Sequence, residues 1–153
     1  MAYATQEARQ HLLETVAEAI TELQIGVAAL GAAYEQLDEQ SADRMEDALF
    51  RPTQTALGRA KRTYTGFAER HGLTAPPVAE QTTGVPPSAG ARGNLDRAAE
   101  TVAEAELILA ELQDSMMPVE VGDAELRSGL ADVQATIGPL AEAAQEFMRT
   151  LGR

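Results

Sequence analysis

Cysteine and tryptophan are absent from this 153-residue chain, and aromatic residues make up only 4% of it. Without cysteine there is no disulfide, no thiolate nucleophile, no iron–sulfur cluster and no cysteine-type zinc site. With so few rings the core has to come from Leu, Val, Ile, Ala and a few Met, which suits close helix packing better than a β-sandwich. Positive charge is scarce as well: 12 Lys and Arg stand against 24 Asp and Glu, a formal net charge of −12. That balance opposes non-specific attachment to phosphate backbones and anionic membrane surfaces, so neither nucleic acid nor a membrane is an expected partner. Long hydrophobic runs are missing too. The longest uncharged apolar-rich run, residues 23–34, is far short of the roughly 20 residues a membrane span needs. Residues 1–10 carry Glu7 and Arg9 where a secretory leader has an apolar segment, and a cytoplasmic protein is the expectation.

What the chain has in abundance is helical periodicity. Val16, Ile20, Leu23, Val27, Leu30, Tyr34 and Leu37 follow one another at steps of four and three, a 3.5-residue repeat that requires a facing helix. Gly26 and Gly31 interrupt this good helix former, so each is expected to mark a close approach of a neighbouring backbone. A second helix is expected to start near Ser41 or Asp43, with Asp43 and Glu46 as a capping box, and to end at Gly72 behind His71. Its seam is Leu49, Thr53, Ala56, Ala60, Tyr64, Phe67 and His71. Pro52 removes a backbone donor inside it, which predicts a kink or break over residues 49–52. Over residues 73–93 the pattern collapses into a stretch punctuated by Pro76, Pro77, Pro86, Pro87, Gly84, Gly90 and Gly93, a linker long enough for the next helix to run either way. Asn94 reads as the N-cap of a third helix carrying Leu95, Val102, Leu109 and Met116, stopped by Pro118. Asp123 reads as the cap of a fourth, whose seam runs from Leu126 through Leu130, Val133, Ile137, Leu140, Ala144 and Phe147 to Leu151, kinked at Pro139.

The sequence ETVAEA occurs at 14–19 and again at 100–105, and Pro52 and Pro139 are separated by nearly the same interval. A duplicated helical hairpin is one reading of this, chance likeness between Ala- and Glu-rich helices the other. Either way the expected fold is all-α: one domain over residues 1–153, a four-helix bundle of two hairpins, 1–72 and 94–153, joined by the linker 73–93. The second and fourth helices are expected to kink at Pro52 and Pro139.

Chemistry is harder to find than fold. A di-iron carboxylate bundle needs Glu-x-x-His motifs, and none occurs. His11 and His71 fall at similar heights in the first hairpin, with Glu7, Glu14 and Glu69 near in sequence. The stronger reading makes His71 a C-terminal residue bonded to the last carbonyls, and leaves His11 solvated. There is no Gly-rich phosphate loop, Gly-x-Ser-x-Gly elbow or His-Glu-x-x-His motif. Glu14, Glu18, Glu22, Glu104 and Glu111 lie off the apolar seams and read as a solvated face. No catalytic residue, metal site or cofactor is therefore expected.

The second helix holds half of the positive charge, and Arg51, Arg59, Arg62 and Arg70, with Arg44, share about 100° of arc opposite its seam. These arginines are the candidate partner-binding residues, suited to an acidic partner or a second copy of the chain. The main expectation is thus a non-enzymatic interaction module, an adaptor, regulator or assembly subunit that acts through a helix face, with a protein partner and a homodimer as one form of it. Leu12, Ile25, Leu57, Leu107 and Ile108 lie beside the seams and are the candidate surplus apolar surface. A second reading is a secreted or effector-like protein. YEQLD at 34–38 resembles the Tyr-x-x-x-Asp/Glu signal of helical hairpins exported by the type VII route, although that family places it after a hairpin with a Trp-x-Gly turn. A third is a small-ligand binder or enzyme using a cavity between helices.

Overall fold

A computed structural model describes the backbone over residues 2–151 and side chains over residues 4–151. The protein is all-helical, with 84% of it in helix and no strand among the described residues. The elements are α1 (Ala2–Gln36), α2 (Glu39–Met45), α3 (Arg51–His71), α4 (Gly90–Asp114), α5 (Met117–Glu120), α6 (Ala124–Ile137) and α7 (Leu140–Leu151). A π-helical turn, Glu46–Phe50, joins α2 to α3, and a 3₁₀ turn, Pro87–Ala89, leads into α4.

Local chemistry explains most of these limits, and several differ from the sequence expectation. The cap of α2 is Asp38, whose carboxylate accepts from the Ser41 N–H at 2.9 Å, so the helix begins before Asp43 and no capping box forms there. The expected disturbance around Pro52 takes the form of the π turn, in which the Arg51 N–H reaches back to Glu46 O. Proline cannot donate to the preceding turn and its ring crowds the carbonyl there, and the wider turn relieves both. Gly72 closes α3 at φ 63°, the left-handed cap that glycine adopts without strain. The helix expected to start at Asn94 starts at Gly90. Asn94 is buried inside it, donating to Gln36 Oε1 at 2.9 Å and accepting from Thr83 Oγ1 at 2.6 Å. Nor does Pro118 stop α4, which ends at Asp114; Met116 then takes φ 67°, and Pro118 sits in the first turn of α5. Asp123 caps α6 by accepting from Leu126 N–H at 2.8 Å. Helical bonding is interrupted between α6 and α7 at Gly138 and Pro139.

Side-chain pairs set the helix directions. Gln6 on α1 donates to His71 O at the end of α3, while Gly26 lies beside Thr53 near the start of α3, so α1 and α3 are antiparallel. Asn94 reaches Gln36 and Gly26 faces Thr101, so α1 and α4 are antiparallel too. It follows that α4 runs parallel to α3, which settles the direction that linker length alone leaves open. Arg70 with Asp123 and Arg59 with Asp132 make α3 antiparallel to α6. The most extensive packing is between α1 and α4, followed by α3 against α6. The largest contacts therefore cross between the two halves of the chain.

Residues 73–86 form no regular element and run as a strap along α1. Thr74 is bonded twice to Gln10, Pro76 O accepts from the Tyr64 hydroxyl at 2.9 Å, and Thr83 O accepts from Arg97. Leu73, Ala75 and Val78 pack against the core from outside. Covered on several sides, α1 buries more than one seam: Leu12, Leu13, Ala19, Ala29 and Ala33 are as buried as Val16, Ile20 and Leu23, whereas Val27, Tyr34 and Leu37 are half-buried. An 18-residue window of α1 has a mean hydropathy of 1.3, long and apolar enough to cross a membrane by composition alone, and 56% of it is buried here. The repeated ETVAEA puts equivalent residues inside, Val16 with Ala19 in α1 and Val102 with Ala105 in α4.

Candidate functional site

Most arginines of α3 are engaged by carboxylates at the protein surface. Arg70 makes a two-pronged bond to Asp123, Nε to Oδ2 at 2.8 Å and an Nη to Oδ1 at 2.9 Å, and also reaches Glu125 at 2.9 Å. Arg59 pairs with Asp132 on α6 at 3.0 Å. Arg51 pairs with Asp47 and Glu46 one turn back, and Arg44 packs over the Phe147 ring of α7. Arg62 and its neighbour Lys61 are exposed and form no ion pair among the described residues. What sequence spacing presents as one continuous basic stripe is thus a set of ties to α6 and to nearby carboxylates, with one exposed cationic pair left over.

The histidines are not brought together. His71 Nε2 lies 2.9 Å from Asp123 Oδ2 and its ring contacts Phe67 at 4.6 Å, so its partner is the cap of α6 and not the last carbonyls of its own helix. His11 lines a groove between α1 and α4 instead. Among the described residues no group of three or more His, Asp or Glu side chains could hold a metal ion. Asp123 accepts from Arg70, Leu126 N–H and His71, and the Arg70 bond foremost holds its carboxyl well below the usual carboxylate range.

Of the candidate surplus apolar residues, Leu12 and Ile25 are in the core, Leu57 and Ile108 pack against it half-buried, and Leu107 is 51% exposed. The expectation that all five add to an outer face is therefore corrected: α1 is flanked by α3, α4 and the strap, and its off-seam residues are used for packing. The exposed residue, Leu107, sits beside the feature sequence periodicity dismissed as a solvated face. Two adjoining grooves on the α1/α4 surface share Glu18 and Ile108. One is lined further by Thr21, Glu22 and Glu104, the other by His11, Thr15, Glu111 and Met117. Glu104, Leu107, Ile108 and Glu111 follow i, i+3, i+4, i+7 spacing and share one face of α4. Burial pushes the Glu22 carboxyl above its usual range; Arg97 opposes this and the Glu104 carboxylate adds to it. Like charges are held close here, with no Lys or Arg lining either groove.

No family model matches the chain, and no curated protein or solved structure matches it either. Sequence reasoning found Glu18, Glu22, Glu104 and Glu111 but not their convergence, because their spacing within each helix is that of any solvated stripe. The cue available was the shared ETVAEA register, which gives α1 and α4 matching outward acids.

Proposed function

We propose that this chain is a helical protein-interaction module that binds a basic, amphipathic segment of a partner protein along the α1/α4 surface. In this reading the scaffold is a four-helix bundle of two hairpins, α1 to α3 and α4 to α7, with the Pro/Gly-rich strap between them, and it works in the cytoplasm without a catalytic step. The observation that carries the reading is that Glu104, Ile108 and Glu111 of α4 share grooves with Glu18 and Glu22 of α1, with the exposed Leu107 beside them on the same helix face. A half-buried Ile and an exposed Leu supply apolar contact, while carboxylates in grooves that no Lys or Arg lines, with Arg97 the one cation felt by Glu22, favour cations and discourage acidic competitors. An acidic partner docked on the arginine stripe is the weaker form of the proposal, since Arg59 and Arg70 already hold α6. A second copy of the chain remains the other form of partner, for which the exposed Lys61 and Arg62 are the complementary charges.

The test is titration calorimetry of the full chain with a Leu/Lys amphipathic helical peptide at two salt concentrations. Binding that weakens with added salt, and falls about tenfold or more on combining Glu104→Lys with Glu111→Lys, supports the reading. Binding unchanged by that double reversal overturns it. Light scattering on the same samples at low salt separates self-association through Lys61 and Arg62 from binding to the peptide.

A further inference from the structure

Beneath the middle of the strap lies a partly open cavity of about 160 Å³. Gln24, Val27 and Ala28 of α1 line it, together with Leu57 and Lys61 of α3 and Glu80 of the strap. Its volume is close to the roughly 150 Å³ of a protein void that admits benzene. Gln24 is only 6% exposed, and its carboxamide oxygen is the one buried side-chain polar atom without a hydrogen-bond partner among the described residues. Buried acceptors left unpaired are uncommon and costly. The Gln24 amide nitrogen faces Val78 O on the strap, an acceptor, which fixes which end of the carboxamide points that way. At 3.4 Å that bond is longer than a good N–H···O bond and holds the carboxamide only weakly, so the covered oxygen meets a donor in the cavity once the side chain rotates by a small amount.

We propose that this cavity is a binding site for a small uncharged molecule with an apolar ring or short chain and one hydrogen-bond donor, given to the Gln24 carboxamide oxygen. Val27, Ala28 and Leu57 form the apolar wall that takes the body of such a ligand. Lys61 and Glu80 carry opposite charges at the same site, so neither a cation nor an anion gains there, and burying a net charge against the apolar wall is penalised. The strap supplies one wall, and its weakest tie to α1, the Gln24–Val78 bond, is at the cavity. Entry therefore needs only a local displacement of the strap, while its ends stay fastened by Thr74 and Pro76 on one side and Thr83 on the other.

Phenol is the probe and benzene the control lacking a donor, each titrated into the full chain and followed by NMR of the Gln24 side-chain amide and the Ala28 and Leu57 methyl groups. Saturable shifts confined to these signals are expected, with phenol bound about fivefold more tightly than benzene, the gain of one ordinary hydrogen bond. In Gln24→Leu the preference for phenol disappears, and in Leu57→Phe, which fills the space, binding of both is lost. The proposal is overturned by equal affinity for the two compounds in the wild-type chain, by shifts centred on the inner void around Leu30, Leu49 and Ala144, or by a bound water that keeps its contact to Gln24 at saturating phenol. The wild-type comparison decides the matter even if either variant fails to fold.

Discussion

Gly129 on α6 faces Thr63 on α3, and a methyl group placed there would overlap the Thr63 hydroxyl, with Thr63 Cγ2 only 2.8 Å and Cβ 3.0 Å away. Thr63 cannot move aside freely: it is 6% exposed and its hydroxyl donates to Arg59 O at 2.8 Å. For Gly129→Ala two effects oppose each other. Helix propensity favours Ala by about 1 kcal/mol, and forcing an extra carbon into a packed interface costs about 1–3 kcal/mol. The net expectation is a loss of up to about 2 kcal/mol, a fall in Tm of several degrees for a chain of this size. In the Thr63→Ala background the overlaps with the hydroxyl and Cγ2 are gone and only the 3.0 Å approach to Cβ remains, so the same substitution should be neutral or stabilise by up to about 1 kcal/mol. The coupling energy is then about 1–3 kcal/mol, measured by a double-mutant cycle in urea with helical circular dichroism as the signal. Gly58→Ala is the control, because its added carbon would meet only the flexible end of Arg62 at 3.3 Å; a gain of about 0.5–1 kcal/mol is expected. Equal gains at Gly58 and Gly129, with no coupling to Thr63, would refute the close contact between α3 and α6.

Asp123→Asn should cost about 1–2 kcal/mol in chemical denaturation at neutral pH, since Asn can still cap α6 but gives up the charged, two-pronged tie to Arg70 and the tie to His71. Because the folded carboxyl titrates below its unfolded value, its contribution is full above about pH 4 and declines as pH falls further, so the variant's deficit should shrink in acid; a deficit independent of pH would argue against the ion cluster. Met116→Gly should stabilise by about 0.5–1 kcal/mol, as Met116 holds φ 67° and is 49% exposed, and thermal unfolding tests the sign. Tyr64→Phe removes the bond to Pro76 O and should cost about 1 kcal/mol, with amide exchange quickening in the strap before it does in α3.

Features set within one or two turns of chain were legible without the structure. The helical class, the left-handed stop at Gly72, the Asp123 cap and the disturbances at Pro52 and Pro139 all follow from near-neighbour chemistry. Misplaced boundaries came from choosing among similar local signals: Asp43 and Asn94 looked like caps, and the caps lie elsewhere because burial claimed Asn94 and Asp38 already bonded Ser41. Periodicity located the apolar face of α1 but not its width, because alanines such as Ala29 and Ala33 carry little hydrophobic signal and are buried only through the closeness of neighbouring helices.

Residue order alone therefore determined that the chain forms amphipathic helices with particular stops, since those depend on interactions spanning about four residues. Tertiary structure decided which faces meet. It made α4 parallel to α3, paired Arg59 and Arg70 with carboxylates 73 and 53 residues away, gathered the outward acids of α1 and α4 around Ile108, and laid the strap over Gln24. Those outcomes depend on contacts between residues far apart in sequence, whose pairing is set by the shape and burial of whole surfaces and not by any local spacing.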